Sequence, residues 1–197
     1  MKPAGRGARA ALPREVRIIG GQWKRSKLPV AERPGLRPTP DRVRETLFNW
    51  LGPDLSGWRC LDAFAGSGAL GFEAASRGAA EVVLLERDRH LVASLNQSRE
   101  RLKAAALRVE AADALSWMAR GAPASFELVF VDPPFDANLF DAALQVAVRL
   151  VVPDGFIYLE ADRAYGAEEV APLGLTLHRH VRAGTVHAHL LQVASKS

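Results

Sequence analysis

From residue 58 onward, short apolar runs alternate with longer stretches whose apolar residues recur every three or four positions. The short runs predict strands at 59–63, 81–86, 107–111, 126–131 and 154–160. The longer ones predict helices at 69–77, 89–105, 112–120 and 137–150. Strands alternating with helices imply right-handed crossovers and a mostly parallel, twisted sheet. The final stretch, "LTLHRHVRAGTVHAHLLQV" (175–193), reads as two strands joined near Ala183-Gly184, an antiparallel hairpin at the sheet edge. Upstream, "VRIIGG" (16–21) and "KLPV" (27–30) predict a short hairpin around a glycine turn. "RPGLRPTP" (33–40) is Pro-rich and irregular. Thr39 is placed to cap the helix through "DRVRETLFNWL", with Pro40 in its first turn and Asp41 near its positive end. Val43, Leu47, Phe48 and Leu51 form the apolar stripe of that helix.

This pattern divides the chain into a flexible basic tail at 1–13, a small N-terminal hairpin-and-helix extension at 14–52, and an α/β, Rossmann-like domain at 53–197. A doubly wound domain binds its ligands at the carboxyl ends of its strands. About half of the 197 residues are hydrophobic, enough for a sizeable core. Cys60 is the one cysteine, inside an apolar run, so a disulfide framework is excluded and a Cys-based metal site is not expected. No apolar run approaches the ~20 residues of a membrane span. The basic N-terminus has no hydrophobic segment behind it, and the expected location is the cytoplasm. Charge is unevenly spread. Residues 1–44 hold 12 Lys/Arg and three acids, a net +9, whereas the remainder is −5. A basic arm on a mildly acidic body points to a polyanionic partner, nucleic acid above all, with a solvated tail as the bland reading of residues 1–13.

Chemistry enters with "LDAFAGSGALG" (61–71), which leaves the first strand of the sheet and opens a helix. Gly66, Gly68 and Gly71 match the dinucleotide fingerprint, and Glu86 ends the next strand 20 residues after Gly66, where a ribose-binding acid belongs. A nicotinamide-dependent dehydrogenase is therefore a rival reading. Asp62 counts against it. A carboxylate just ahead of the glycines repels a diphosphate but attracts a cationic amino-acid moiety. S-adenosylmethionine has no phosphate, a ribose diol and an ammonium group, and Asp62 and Glu86 suit it. No second domain remains for a hydride-transfer substrate. In "VEAADAL", Asp113 stands where it can accept from an adenine amino group, with the Ala114 N–H beside it to read a ring nitrogen. Asp113 can equally be a helix N-cap.

"FVDPPF" (130–135) ends the fourth strand with an acid, a stiff corner and a ring. An exocyclic amine on a base is a weak nucleophile, because its lone pair is delocalised into the ring. Two acceptors gripping its hydrogens pull the nitrogen toward a tetrahedral shape. Asp132 can supply one through its carboxylate and Pro133 another through its carbonyl, held in place by the restricted corner. Phe135 offers a flat face on which a base can stack. An ordinary strand-ending turn is the plain alternative. His178, His180, His187 and His189 alternate on the final hairpin, which places each pair on one face of a strand. Without flanking carboxylates or cysteines they read as sheet residues, and no metal is expected.

These residues resemble the RsmD family of bacterial 16S ribosomal RNA guanine-N2 methyltransferases. The resemblance covers most of the chain and is carried by "RIIGGQWK…LPV" (17–30), "GLRPTPDRVRETLFNWL" (35–51), "LDAFAGSGALGFEAASRGA" (61–79), "LLERD" (84–88) and "FVDPPF" (130–135). It implies a class I methyltransferase fold that uses S-adenosylmethionine to methylate the N2 amine of one guanine in 16S rRNA. The implied substrate is an assembled or partly assembled small subunit, and the implied active form is a monomer. It assigns catalysis to Asp132, Pro133 and Phe135, and cofactor contacts to Asp62, Gly66, Gly68 and Glu86. Arg37, Thr39 and Arg42 match the segment that would close over the site and touch RNA. Pro40 stands where the family more usually has Thr, and residues 1–13 look unshared. An adenine-N6 DNA methyltransferase, which shares Asp-Pro-Pro-aromatic, and a non-catalytic ribosome-assembly factor remain as alternatives.

Overall fold

The computed structural model describes residues 15–33 and 38–195, so the tail at 1–13 and Arg37 lie outside the described residues. Strands β1 (Glu15–Arg17) and β2 (Lys27–Pro29) pair antiparallel, with the buried Val16 opposite the buried Leu28. Helix α1 (Asp41–Leu51) buries Val43, Leu47 and Phe48. There follow β3 (Arg59–Asp62), α2 (Ala69–Ser76), β4 (Glu81–Glu86), α3 (Arg89–Arg101), β5 (Leu107–Ala111), α4 (Ala114–Arg120), β6 (Phe126–Val131), α5 (Phe140–Leu150), β7 (Val151–Ala161) and the short α6 (Ala167–Val170). β8 (Leu175–Ala183) and β9 (Val186–Val193) close the chain as a hairpin.

The main sheet has seven strands in the order β5-β4-β3-β6-β7-β9-β8. The first five positions run parallel, and β9 joins β7 antiparallel. The interior strands read as apolar runs because both faces are covered. α1, α2 and the β1–β2 hairpin share one core with one face, whereas α4, α5 and α6 share another with the opposite face. The strand order reverses between β3 and β6, which opens a crevice at their carboxyl ends.

All eight residues of α2 are buried, because the sheet covers one side and the N-terminal extension the other. A helix buried all round must pair its polar residues internally. Glu73 does so by accepting from the Ile19 and Gly20 N–H groups at 2.9 and 2.8 Å, from Arg77 Nε at 2.9 Å and from Arg44 Nη1 at 3.3 Å. Ser76 adds a hydroxyl donated to the Gly20 carbonyl at 2.6 Å and accepts from Trp23 N at 3.0 Å. Trp23 thus packs on the core instead of standing free.

The differences from expectation have local causes. β7 begins at Val151, three residues early, because Pro153-Asp154-Gly155 forms an irregularity within the strand, with Asp154 at φ +64°. α5 starts at Phe140 because a single 3-10 turn, Phe135–Ala137, intervenes and Asn138 is left-handed at φ +50°. α3 ends at Arg101, where the chain turns through Lys103 at φ +52°. Thr39 does not cap α1. Pro40 holds that position with no side-chain cap bond, and the Thr39 hydroxyl turns toward Asp132.

Candidate active site

The carboxyl ends of β3, β4, β6 and β7, with the segment just before α1, enclose a cavity of about 410 Å³. Gly66 takes φ +54° and Gly68 φ +81°, so the loop after β3 turns tightly enough to start α2. Gly66 lines the cavity, and its N–H donates to Glu86 Oε2 at 3.0 Å. Glu86 Oε1 accepts from Asp88 N at 2.9 Å, which aims the carboxylate from the end of β4 across the glycine loop. Gly68 is not among the lining residues and acts by shaping the turn against Phe72 and Leu95. A side chain at Gly71 would run into Leu84, so the helix rests directly on the sheet there.

Asp62 is 1% exposed and accepts from Gly71 N at 3.0 Å. Burial first, and then the charges of Glu86 and Glu160, push its carboxyl up to about 7. Asp113 and Ala114 both line the cavity. Asp113 is also the α4 cap, accepting from Ser116 N at 3.0 Å, which bears out the N-cap reading. Asp132, Pro133 and Phe135 form the wall that faces the glycine loop. The Phe135 ring leans on Phe140, with centroids 5.9 Å apart. Thr39 Oγ1 donates to Asp132 Oδ2 at 3.4 Å. Arg42 is exposed on α1 and does not line the cavity.

The residue that sequence reasoning missed is Glu160, near the end of β7. It is 3% exposed, lines the cavity and accepts from Tyr158 Oη at 2.8 Å. The rule that singled out Asp62, Glu86 and Asp132, an acid where an apolar strand ends, applies equally to "FIYLEA". Burial drives the Asp132 carboxyl well above the ordinary range, and the neighbouring Glu160 and Asp62 charges add to it. Burial also raises Glu160, opposed by hydrogen bonds from Thr39 and Tyr158. The two carboxyls lie within hydrogen-bond reach of each other, and their proximity raises Asp132 further.

On the final hairpin a bulge between Leu177 and Arg179 corrects the expected pairing of histidines. His180 stacks with His187 and His189 at 5.2 and 4.7 Å, whereas His178 packs on Phe156. The buried His189 accepts from Tyr165 N at 3.0 Å through Nε2, so Nδ1 is the atom that donates to the Leu159 carbonyl at 3.2 Å. Burial lowers its pKa to about 4, and the neutral ring fastens the loop after β7.

A cavity walled by Asp62, Glu86, Asp132 and Glu160 rejects a diphosphate and attracts a cation, which disposes of the dinucleotide reading. S-adenosylmethionine fits this set. Its ammonium suits Asp62, its ribose diol suits Glu86, and its adenine suits Asp113 and the Ala114 N–H. Two expectations follow from the charges. Glu86→Ala weakens cofactor binding by about 1–3 kcal/mol, the scale of a hydrogen bond to a charged group, as calorimetric titration would read. Affinity also depends on pH. A cation favours the ionised form of Asp62, whose carboxyl in the free protein titrates at about 7. Binding therefore strengthens as pH rises from about 6 to about 8, flattens above, and releases protons near neutrality. Titrations in buffers of different ionisation enthalpy measure that release.

Residues 16–192 match the family described as conserved hypothetical protein 95. The chain is 46% identical to ribosomal RNA small subunit methyltransferase D of Escherichia coli over 181 residues, 90% of each protein. It is 40% identical to the protein of that name from Haemophilus influenzae, over 90% of this chain and 94% of the other. A solved Escherichia coli structure, described as a putative methyltransferase, superposes with a TM-score of 0.79 at 40% identity, covering 92% of this chain and 99% of that one. A precorrin-6y methyltransferase from Geobacter metallireducens shares the fold at a TM-score of 0.68 and 15% identity. The fold is that of the class I S-adenosylmethionine-dependent methyltransferases, and the chain belongs to the ribosomal RNA small subunit methyltransferase D (RsmD) family.

Proposed function

We propose that the protein transfers a methyl group from S-adenosylmethionine to the exocyclic N2 amine of a guanine in 16S rRNA of the small ribosomal subunit. The observation that carries this reading is the wall of Asp132, Pro133 and Phe135 facing the glycine loop across one cavity. The names of the two relatives support the RNA substrate. So does the excess of Lys and Arg in residues 1–44.

The bound cofactor supplies an electrophilic methyl group. The chain's part is to present the nucleophile. A guanine leaves its stack and lies against Phe135, which positions the ring without reading it. Asp132 and the Pro133 carbonyl accept the two N2 hydrogens, and the nitrogen lone pair is left facing the cavity. Pro133 and Pro134 limit the rotation of the corner, so the acceptors are oriented before the base arrives. The Asp132 carboxylate stabilises the positive charge that develops on the amine, and Thr39 steadies that carboxylate from the α1 side. The alkylated nitrogen is strongly acidic and loses its proton without a dedicated base.

The substrate in this reading is an assembled or partly assembled subunit, and the protein acts as a monomer. No helix among the described residues is long and apolar enough to cross a membrane, in keeping with a cytoplasmic enzyme. The test is incubation with labelled S-adenosylmethionine and small subunits lacking the modification, followed by digestion to nucleosides. Label in N2-methylguanosine is expected. Label in N6-methyladenine of added DNA would overturn the RNA reading, and cofactor binding without transfer to any substrate would point to an assembly role.

A further inference from the structure

The guanine-N2 reading assigns one acid, Asp132, to the base. The cavity holds a second beside it. Val131 of β6 pairs in register with Leu159 of β7, so the next residue of each parallel strand, Asp132 and Glu160, leaves the sheet at one level and on one face. Both line the cavity, and their carboxyls are in contact. Glu160 is 3% exposed and has its own support. Tyr158, two residues earlier on the same face, donates its hydroxyl to Oε1 at 2.8 Å, and the buried Arg44 places its positive field nearby. Both favour the ionised, accepting form of Glu160 against the burial that raises it.

The Watson–Crick edge of guanine presents adjacent donors, N1–H and the N2 amine. Adenine presents an amine beside a bare N1 lone pair. Two neighbouring acceptors, Glu160 buried and Asp132 half-buried, match the first pattern and oppose the second, because an acceptor facing a lone pair out of water leaves both unpaired. We propose that Glu160 is the residue that selects guanine, its carboxylate accepting the base N1–H while Asp132 takes the N2 amine. This rests on the guanine-N2 reading above and adds the means by which the base is recognised. Glu160 then touches the substrate but does not act on the nitrogen that is methylated.

The experiment uses small subunits reconstituted with RNA in which the guanine methylated by the wild-type protein is replaced by 2-aminopurine. That base keeps the N2 amine and carries a lone pair at N1. The wild-type protein is expected to prefer guanine at least about 100-fold in kcat/KM. Glu160→Gln, whose amide can donate to the 2-aminopurine N1, is expected to narrow that ratio to within about tenfold. A Glu160 that merely braced Tyr158 and Thr39 would lower both rates together, and an unchanged ratio in Glu160→Gln overturns the proposal. Equal wild-type rates on the two bases also overturn it, without recourse to a variant that must fold. Absence of N2-methylguanosine from the wild-type reaction on unmodified subunits overturns the underlying reading, so the two failures are distinct.

Discussion

Asp132→Ala is expected to lower kcat by about 10²–10³-fold, the usual loss when one oriented partner of a developing charge is removed, while S-adenosylmethionine still binds. The carboxylate stands on the substrate side of the cavity, hydrogen-bonded to Thr39 Oγ1 at 3.4 Å and in contact with Glu160. Asp62, which the cofactor ammonium suits, keeps its own bond from Gly71 N and does not depend on Asp132. Truncation therefore removes the acceptor that orients the amine and leaves the glycine loop, Glu86 and Asp113 in place. Asp132→Asn separates two parts of the role. It keeps an oxygen acceptor but loses the negative charge, so its kcat should fall between wild type and the alanine variant. Burial and two neighbouring acids raise the Asp132 carboxyl well above its ordinary value. The wild-type rate should therefore climb with pH as the Asp132 carboxyl ionises, and the climb should flatten in Asp132→Asn. Single-turnover kinetics with calorimetric binding reads both quantities. An alanine variant with unchanged kcat would remove Asp132 from the chemistry.

What the sequence made legible, and what it hid, divides along one physical line. Parallel strands buried on both faces are apolar runs bounded by turns, so β4, β5 and β6 could be placed to the residue at both ends. Acids that interrupt those runs at their carboxyl ends stand out for the same reason, which is why Asp62, Glu86 and Asp132 were readable as one site. Glu160 obeys the same rule, but its strand is interrupted near its start by Pro153-Asp154-Gly155 and pairs with the antiparallel β9, so it does not look like part of the nucleotide-binding half. Pairing across the sheet, Val131 with Leu159, is what brings it to Asp132, and register between distant segments has no local signature. Thr39 shows the opposite failure. Its local signal as a cap was good, yet its hydroxyl serves a partner 93 residues away. The bulge that turns His180 toward His189 is likewise a tertiary event, since strict alternation would have kept it with His178. Glu73 had a signal that composition dilutes. An acid in "ALGFEAAS", a helix with no polar face, has to be buried and therefore paired.

Glu73→Gln is expected to cost about 3–5 kcal/mol of stability, the penalty for leaving a buried charge without its counter-ion. For a chain of this size that lowers the melting temperature by on the order of 10 °C. Glu73 and Arg44 are both 0% exposed. The remaining ionic partner of Arg44 is Asp41, whose side chain is 63% exposed and screened by water. The amide that replaces the carboxylate can still accept hydrogen bonds, but it holds no charge against Arg44 or Arg77 and turns a donor toward one of the N–H groups of Ile19 or Gly20. The loss should reach the active site by a short path. Arg44 Nε donates to the Thr39 carbonyl at 3.3 Å and Nη1 to the Arg17 carbonyl at 2.9 Å, so this one guanidinium joins β1 to the segment that lines the cavity. Activity should fall through kcat/KM for RNA more than through cofactor affinity, because Thr39 and Pro38 border the cavity whereas Glu86 and Asp113 are held from the opposite half of the sheet. A double replacement, Arg44→Met with Glu73→Leu, removes both charges and fills similar volume. It should therefore cost less than the two single replacements summed. Thermal melts of the four proteins give the coupling energy directly, and strict additivity would mean that the pair does not anchor the extension to α2.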